Sequence, residues 1–388
     1  MRFFLVVLFV LSCNIGASRA QETVDLDWSN LARVIVERLA MEPGERVLVV
    51  AHPDIFHELT HPLRVAVMEG GGVDLGVLHV RNGAGRIGAD RGQVSDSAAR
   101  EVYGNMFRQV DAAVTLPGVN GSHPAYGALQ DILRSGHART VHIHWRQDRS
   151  GTHLPGQPLP DPSIIDALYE KAVLETDYES LKGIQLRFEQ GMRDGEVRVT
   201  SALGTDLHFQ IGDRPVNRQD GDVSARRTAE ATILIDREIE LLAGVVRVAP
   251  LEETVSGVIA FPPSQWDGRP VTGLKLMIES GRVTGMTAGS GLEYVRSEME
   301  RAGPIALSFR EFGLGFNPIL VVPERNPWIP YYGYGAGVVR LSLGDNSELG
   351  GAAKADQPYV RWNFFVNASV TVNGTEWVRD GRLVVDGP

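Results

Sequence analysis

The alternation of strand-like and helix-like segments between residues 46 and 145 constrains this chain most. Four apolar, β-rich runs, "RVLVVA" (46–51), "VDLGVLHV" (73–80), "DAAVTLPG" (111–118) and "TVHIHW" (140–145), are each flanked by a segment of helix length, such as "SDSAAREVYGNMFRQV", where Ser95 or Ser97 can cap. Strands joined through a helix run parallel, because the crossover returns the chain to the same end of the sheet. The expected first domain is therefore α/β with a doubly wound parallel sheet, and its ligands would gather at the carboxyl ends of the strands.

After the Gly/Pro-rich stretch "SGTHLPGQPLPDP" the pattern changes. A connecting helix is expected over Ser163 to Leu181, and then short strands and tight turns dominate. Asn373-Gly374 and Asp380-Gly381 are hairpin signals. One helical pattern, "GLEYVRSEMERAG", interrupts the strands. The expected organisation is a signal peptide over 1–20, a Rossmann-like α/β domain over 21–160, and a connecting helix with a mainly-β domain over 161–388. With 388 residues, 43% of them hydrophobic, the chain is long enough for two cores.

The opening "MRFFLVVLFVLSCNIGASRAQ" joins one basic residue, an apolar run too short to span a bilayer, and a small-residue end at Ala20. Export to a periplasm or to the medium is the expectation. A lipoprotein anchor through Cys13 stays open, although Leu11 and the lack of further basic residues make a poor acylation signal. Cys13 is the single cysteine, so a cleaved chain has no disulfide and no thiolate metal site. Cleavage removes Arg2 and Arg19 but no acid, taking the formal charge from −10 to −12. That balance speaks against nucleic acid as a partner.

"HELTH" (57–61) has the H-E-x-x-H spacing of zinc proteases. In the expected first helix this spacing would put His57 and His61 on one face. Pro62 follows at once, however, and would remove the helical bond to Glu58, so a helix beginning at Pro62 is the alternative. No H-x-x-G-x-x-H extension follows. Nine of the ten histidines precede residue 160, and none follows His208. A metal site built on imidazoles would therefore draw on His52, His57, His61 and His144, with zinc or another divalent ion as the cofactor.

The order of segments from "LARVIVERLAMEPGERVLVVA" through "VRVTSALGTDLHF" and "LLAGVVRVAPLEETVSGVIAF" to "EFGLGFNP", "GAGVVRLSLG" and "YVRWNFFVNASVTVNGTEWVRDGRLV" resembles the aminopeptidase T group of dinuclear metal-dependent aminopeptidases. The resemblance implies two metal ions held in the second domain by two glutamates, two histidines and an aspartate. Most of that set is replaced here. The family's first glutamate becomes Val245, one histidine becomes Arg340, and the H-W-D pattern becomes Arg361-Trp362-Asn363; Glu311 alone is kept. Ser347 stands where the family has a tyrosine. A ring-cleaving dioxygenase branch of the same fold likewise needs histidines and an H-x-D pair.

Guanidinium and isopropyl groups offer a metal no lone pair, so the two-metal chemistry is lost by that scheme. The expectation is an Arg340–Glu311–Arg361 cluster in the metals' place, with Asn363 beside it and no cofactor. Around it, "ERNPWIPYYGYGAG" offers Trp328, Tyr331, Tyr332 and Tyr334, either as a ligand-gripping surface or as packing. The expected protein is an exported aminopeptidase-like fold with a degenerate metal site, binding a peptide or a small anionic ligand. The alternative is a working metal-dependent aminopeptidase. The resemblance implies a homodimer.

Overall fold

The computed structural model describes residues 26–81, 96–121, 123–357 and 359–385. The signal peptide expected over 1–20, Cys13 and Ser95 lie outside these. In the first domain five parallel strands run in the order Val73–His79, Arg46–Ala51, Ala112–Thr115, Arg139–Ile143, Glu238–Leu241. Four are the runs expected from sequence. The fifth returns from far along the chain, past residue 160, because Ile239 and Leu241 bury one face of a short strand beside Arg139–Ile143. The winding direction reverses between Arg46–Ala51 and Ala112–Thr115, so His52 stands just beyond the switch point.

One helix start is decided and one helix expectation is corrected. The helix His57–Glu69 starts at the first histidine of "HELTH", with Pro62 inside it. Leu59, Leu63 and Val67 form one buried stripe, so the turn ahead of the proline is anchored by packing. The single connecting helix is in fact two, Pro162–Glu175 and Tyr178–Arg193. Asp177 interrupts them by accepting from the Ser180 amide at 3.0 Å and capping the second.

The rest is mainly antiparallel β, giving the expected pairing of fold classes. Eight strands form one sheet, ending in the hairpins Ala368–Val372/Thr375–Arg379 and Thr375–Arg379/Arg382–Leu383. Both turns have two left-handed residues, Asn373-Gly374 and Asp380-Gly381, as the hairpin signals require. A second sheet runs Val360–Arg361, Val339–Gly344, Phe309–Gly315, Val245–Val248, Val216–Arg218, with Phe364–Phe365 also on Val339–Gly344. One of its faces is apolar: Phe312 packs on Phe188 and Phe209. Its other face is charged. The stretch 238–248 belongs first to the parallel sheet and then to this one, which brings Glu240 close to that charged face.

Candidate functional site

Cross-strand pairing places Asn217, Arg247, Gly313, Arg340 and Phe364 in one row across the second sheet. Partners directly opposite share a face, and residues two apart along a strand share it too. Glu311 and Ser342 therefore sit one step along on the same side, paired with each other. Glu311 is fully buried and Arg340 nearly so. Arg340 Nε lies 2.8 Å from Glu311 Oε1, and Ser342 Oγ donates to the same oxygen at 3.1 Å. The Arg340 contact is an ion pair without hydrogen-bond alignment, and Nη2 has no hydrogen-bond partner. Its guanidinium crosses Gly313, where a Cβ would stand 3.4 Å from Nε.

A bulge after Phe309 adds a second arginine. Phe309 and Glu311 oppose the neighbours Leu343 and Ser342, so Arg310 is the extra residue and turns toward Glu311. Its Nε lies 3.7 Å from Glu311 Oε2, and its Nη2 pairs with Glu348. Arg247, also buried, forks onto Asn217 Oδ1 at 3.1 and 3.0 Å. Tyr334 donates to Glu240 at 2.6 Å nearby. Burial pushes the Glu311 carboxyl up, but Arg340, Arg310 and Arg247 outweigh it and hold the group below the ordinary glutamate value. Neither Arg247 nor Arg310 was assigned to the cluster from sequence, although an arginine inside the apolar "VVRV" is a usable signal.

Arg361 is not part of this cluster. It opposes Leu343, three residues from Arg340, and an odd separation places it on the other face of the sheet. There its Nη1 meets Glu298 Oε1 at 2.6 Å, its Nη2 donates to Gln265 O at 2.7 Å, and its Nε to Asn363 Oδ1 at 3.1 Å. The guanidinium also stacks on Trp266 at 3.4 Å. Asn363 is engaged through Nδ2 with Leu341 O at 3.0 Å.

A dinuclear metal centre does not fit these residues. Val245 and the two arginines give no donor, the Asn363 amide is taken on both sides, and the one carboxylate faces guanidinium nitrogen. The first-domain histidines do not converge either. His52 accepts from the Asp54 amide at 3.1 Å, while His57 and His61 are exposed, His57 beside Glu58. His144 stacks on His142 at 4.0 Å and lies 3.6 Å from Asp148 Oδ2. Burial lowers the His144 pKa, but Asp148, Glu240 and Glu238 outweigh it, so the net shift is upward. Among the described residues no group of three or more His, Cys, Asp or Glu could hold a metal ion.

The aromatic run packs between the domains. Trp328–Ile329 pairs with Thr152–His153, and the Tyr332 amide and hydroxyl donate to Ser150 O at 2.7 Å and Asp148 O at 3.0 Å. Tyr332 also meets His144 edge-on and touches Trp362 at 5.3 Å, while its carbonyl accepts from Arg340 Nη1. Tyr331 and Tyr332 are both left-handed, at φ 32° and 51°, a conformation that bulky residues keep only where contacts enforce it.

A buried acid–imidazole pair escaped the sequence reading. His142 Nδ1 lies 2.7 Å from Glu238 Oε1, with Tyr126 Oη and Gln130 Nε2 donating to the same carboxylate at 3.0 and 2.8 Å. Burial raises Glu238, but these partners, His142 first, bring it down to about 2. A depressed carboxylate adds stability above its unfolded value and loses it as pH falls through the folded one. The urea midpoint of Glu238→Gln should therefore fall less than the parent's between about pH 5 and about pH 3; equal slopes would refute this assignment.

Solved structures give the fold a context. No protein-family model matches the chain, and no curated protein does. The 2,5-dihydroxypyridine dioxygenase of Pseudomonas putida KT2440 superposes with a TM-score of 0.63 at 16% identity, covering 92% of this chain and 97% of that one. AmpT of Thermus thermophilus superposes with a TM-score of 0.59 at 15% identity, covering 92% and 99%. The likeness is one of fold. The distant aminopeptidase-like architecture expected from the sequence is thus present nearly end to end.

Proposed function

We propose that this is an exported, aminopeptidase T-like protein that does not hydrolyse peptides by a two-metal route and acts instead as a binding protein. The observation that carries the reading is the Glu311 carboxylate, buried against Arg340 and Arg310 where the resemblance puts a metal ligand. A carboxylate already neutralised by fixed guanidiniums has little left to offer a cation, and the site's permanent charge repels one. The ligand-binding role is assigned to the ground around Arg340, Arg361 and Asn363. No helix among the described residues is long and apolar enough to cross a membrane, which is compatible with export through the N-terminal signal. The homodimer implied by the resemblance belongs to the same reading.

The test is an amino-acid p-nitroanilide assay on the purified chain with and without chelator. No chelator-sensitive release is expected, even after incubation with zinc, cobalt or manganese. Release that chelator abolishes would instead establish a working metallo-aminopeptidase.

A further inference from the structure

A cleft of about 390 Å³ opens beside Arg361, Trp362 and Asn363, between Leu154 and Pro155 of the first domain and Phe261, Pro262 and Pro263 of the second. Two arginines stand near it, yet neither offers a free charge. Arg361 is balanced by Glu298 at 2.6 Å and has its remaining nitrogens on Gln265 O and Asn363. Arg340 keeps an unpartnered Nη2, but Trp362 covers it, with the guanidinium carbon 5.3 Å from the ring centre. Trp362 is itself 41% exposed. Arg340 stands over one indole face and Tyr332 meets the ring at a steep angle, and the part of the ring these leave uncovered lines the cleft.

An ion entering such a cleft would shed water against proline and phenylalanine walls and meet no arginine that is not already paired or covered. An uncharged ring would stack on the indole and release water from apolar surface, the usual source of affinity in a concave site of this size. We propose that the cleft binds an uncharged ligand carrying a flat apolar ring, with Trp362 as its platform and as the screen that stops Arg340 from selecting an anion. The proposal rests on the binding reading above and puts a neutral ligand in place of the peptide or small anionic ligand expected from the sequence.

Benzamide and benzoate present the same ring with and without charge, which makes them suitable probes. The indole N–H resonance of Trp362, identified by its loss in Trp362→Phe, should move on titrating the full chain with benzamide. Benzoate should bind at least about tenfold more weakly. By calorimetry, Trp362→Phe should retain benzamide binding, whereas Trp362→Ala should lose it and gain benzoate binding as Arg340 is uncovered. Benzoate binding as tightly as benzamide to the parent chain would overturn the neutral class while leaving the binding reading intact. Silence from both probes at millimolar concentration would sink the two together. A Trp362→Ala chain that gains no benzoate would overturn the screening role.

Discussion

Glu311→Ala should lower the stability of this protein by about 3–5 kcal/mol, the range for breaking a buried ion pair from one side. Loss of packing for a buried side chain of this size costs about 2–5 kcal/mol by itself, so the single variant does not apportion the loss between packing and charge. The charge part comes from Arg340, which is left buried with no carboxylate, whereas Arg310 keeps Glu348, and the double variant isolates it. Replacing both partners with apolar groups, as in Glu311→Leu with Arg340→Met, should recover much of the loss, because the stranded charge goes with its partner. Urea unfolding of the parent, the two single variants and the double variant measures this as a coupling energy. A Glu311→Ala chain as stable as the parent would remove the ion pair from the account. The pH dependence has the same sign as for Glu238: the Glu311 contribution is present above the ordinary glutamate value and is lost as acid protonates the group.

Gly315→Ala should be at least as damaging, with a loss above about 3 kcal/mol or failure to fold. A Cβ at Gly315 would stand 2.1 Å from Gly335 O and 2.6 Å from Gly333 O. Both are main-chain atoms, so no rotamer change relieves the clash. Gly313→Ala is the control two residues away: there the nearest atoms belong to the Arg340 side chain at 3.4 Å, which can give way. Soluble yield and urea midpoints of the two variants read the contrast, and a Gly315→Ala chain within about 1 kcal/mol of the parent would refute it.

The glycine result bears on what the "EFGLGFN" pattern does in this chain. Gly313 makes room for a guanidinium and Gly315 for two carbonyls. Asn317 donates to Ala243 O at 2.9 Å and Thr176 Oγ1 at 3.0 Å and accepts from the Ile319 amide. These are architectural tasks that need no metal.

Much of this architecture was readable in the sequence because it is local. The period of apolar runs marks the first four parallel strands, and Asn-Gly and Asp-Gly dictate both terminal hairpins through their left-handed backbone. What the sequence concealed depends on register and on distant pairing. "EIEL" is too short to announce itself as a fifth strand until Arg139–Ile143 is there to pair with it. Arg310 joins Glu311 only through a bulge, and Arg361 leaves the cluster because three residues, not two, separate its partner Leu343 from Arg340. The buried pairing of His142 with Glu238 links residues 96 apart and gave no local sign.

We propose that arginine stands in the place of metal around Glu311, and elemental analysis of the untagged chain from Gln21 to Pro388, after incubation with zinc, cobalt or manganese and extensive dialysis, decides the matter. Less than about a tenth of an equivalent of any of these ions is expected, since a dinuclear hydrolase needs its metals tightly held. About one or two retained equivalents would overturn the proposal, and would mean that this chain builds its metal site from residues other than those the resemblance points to.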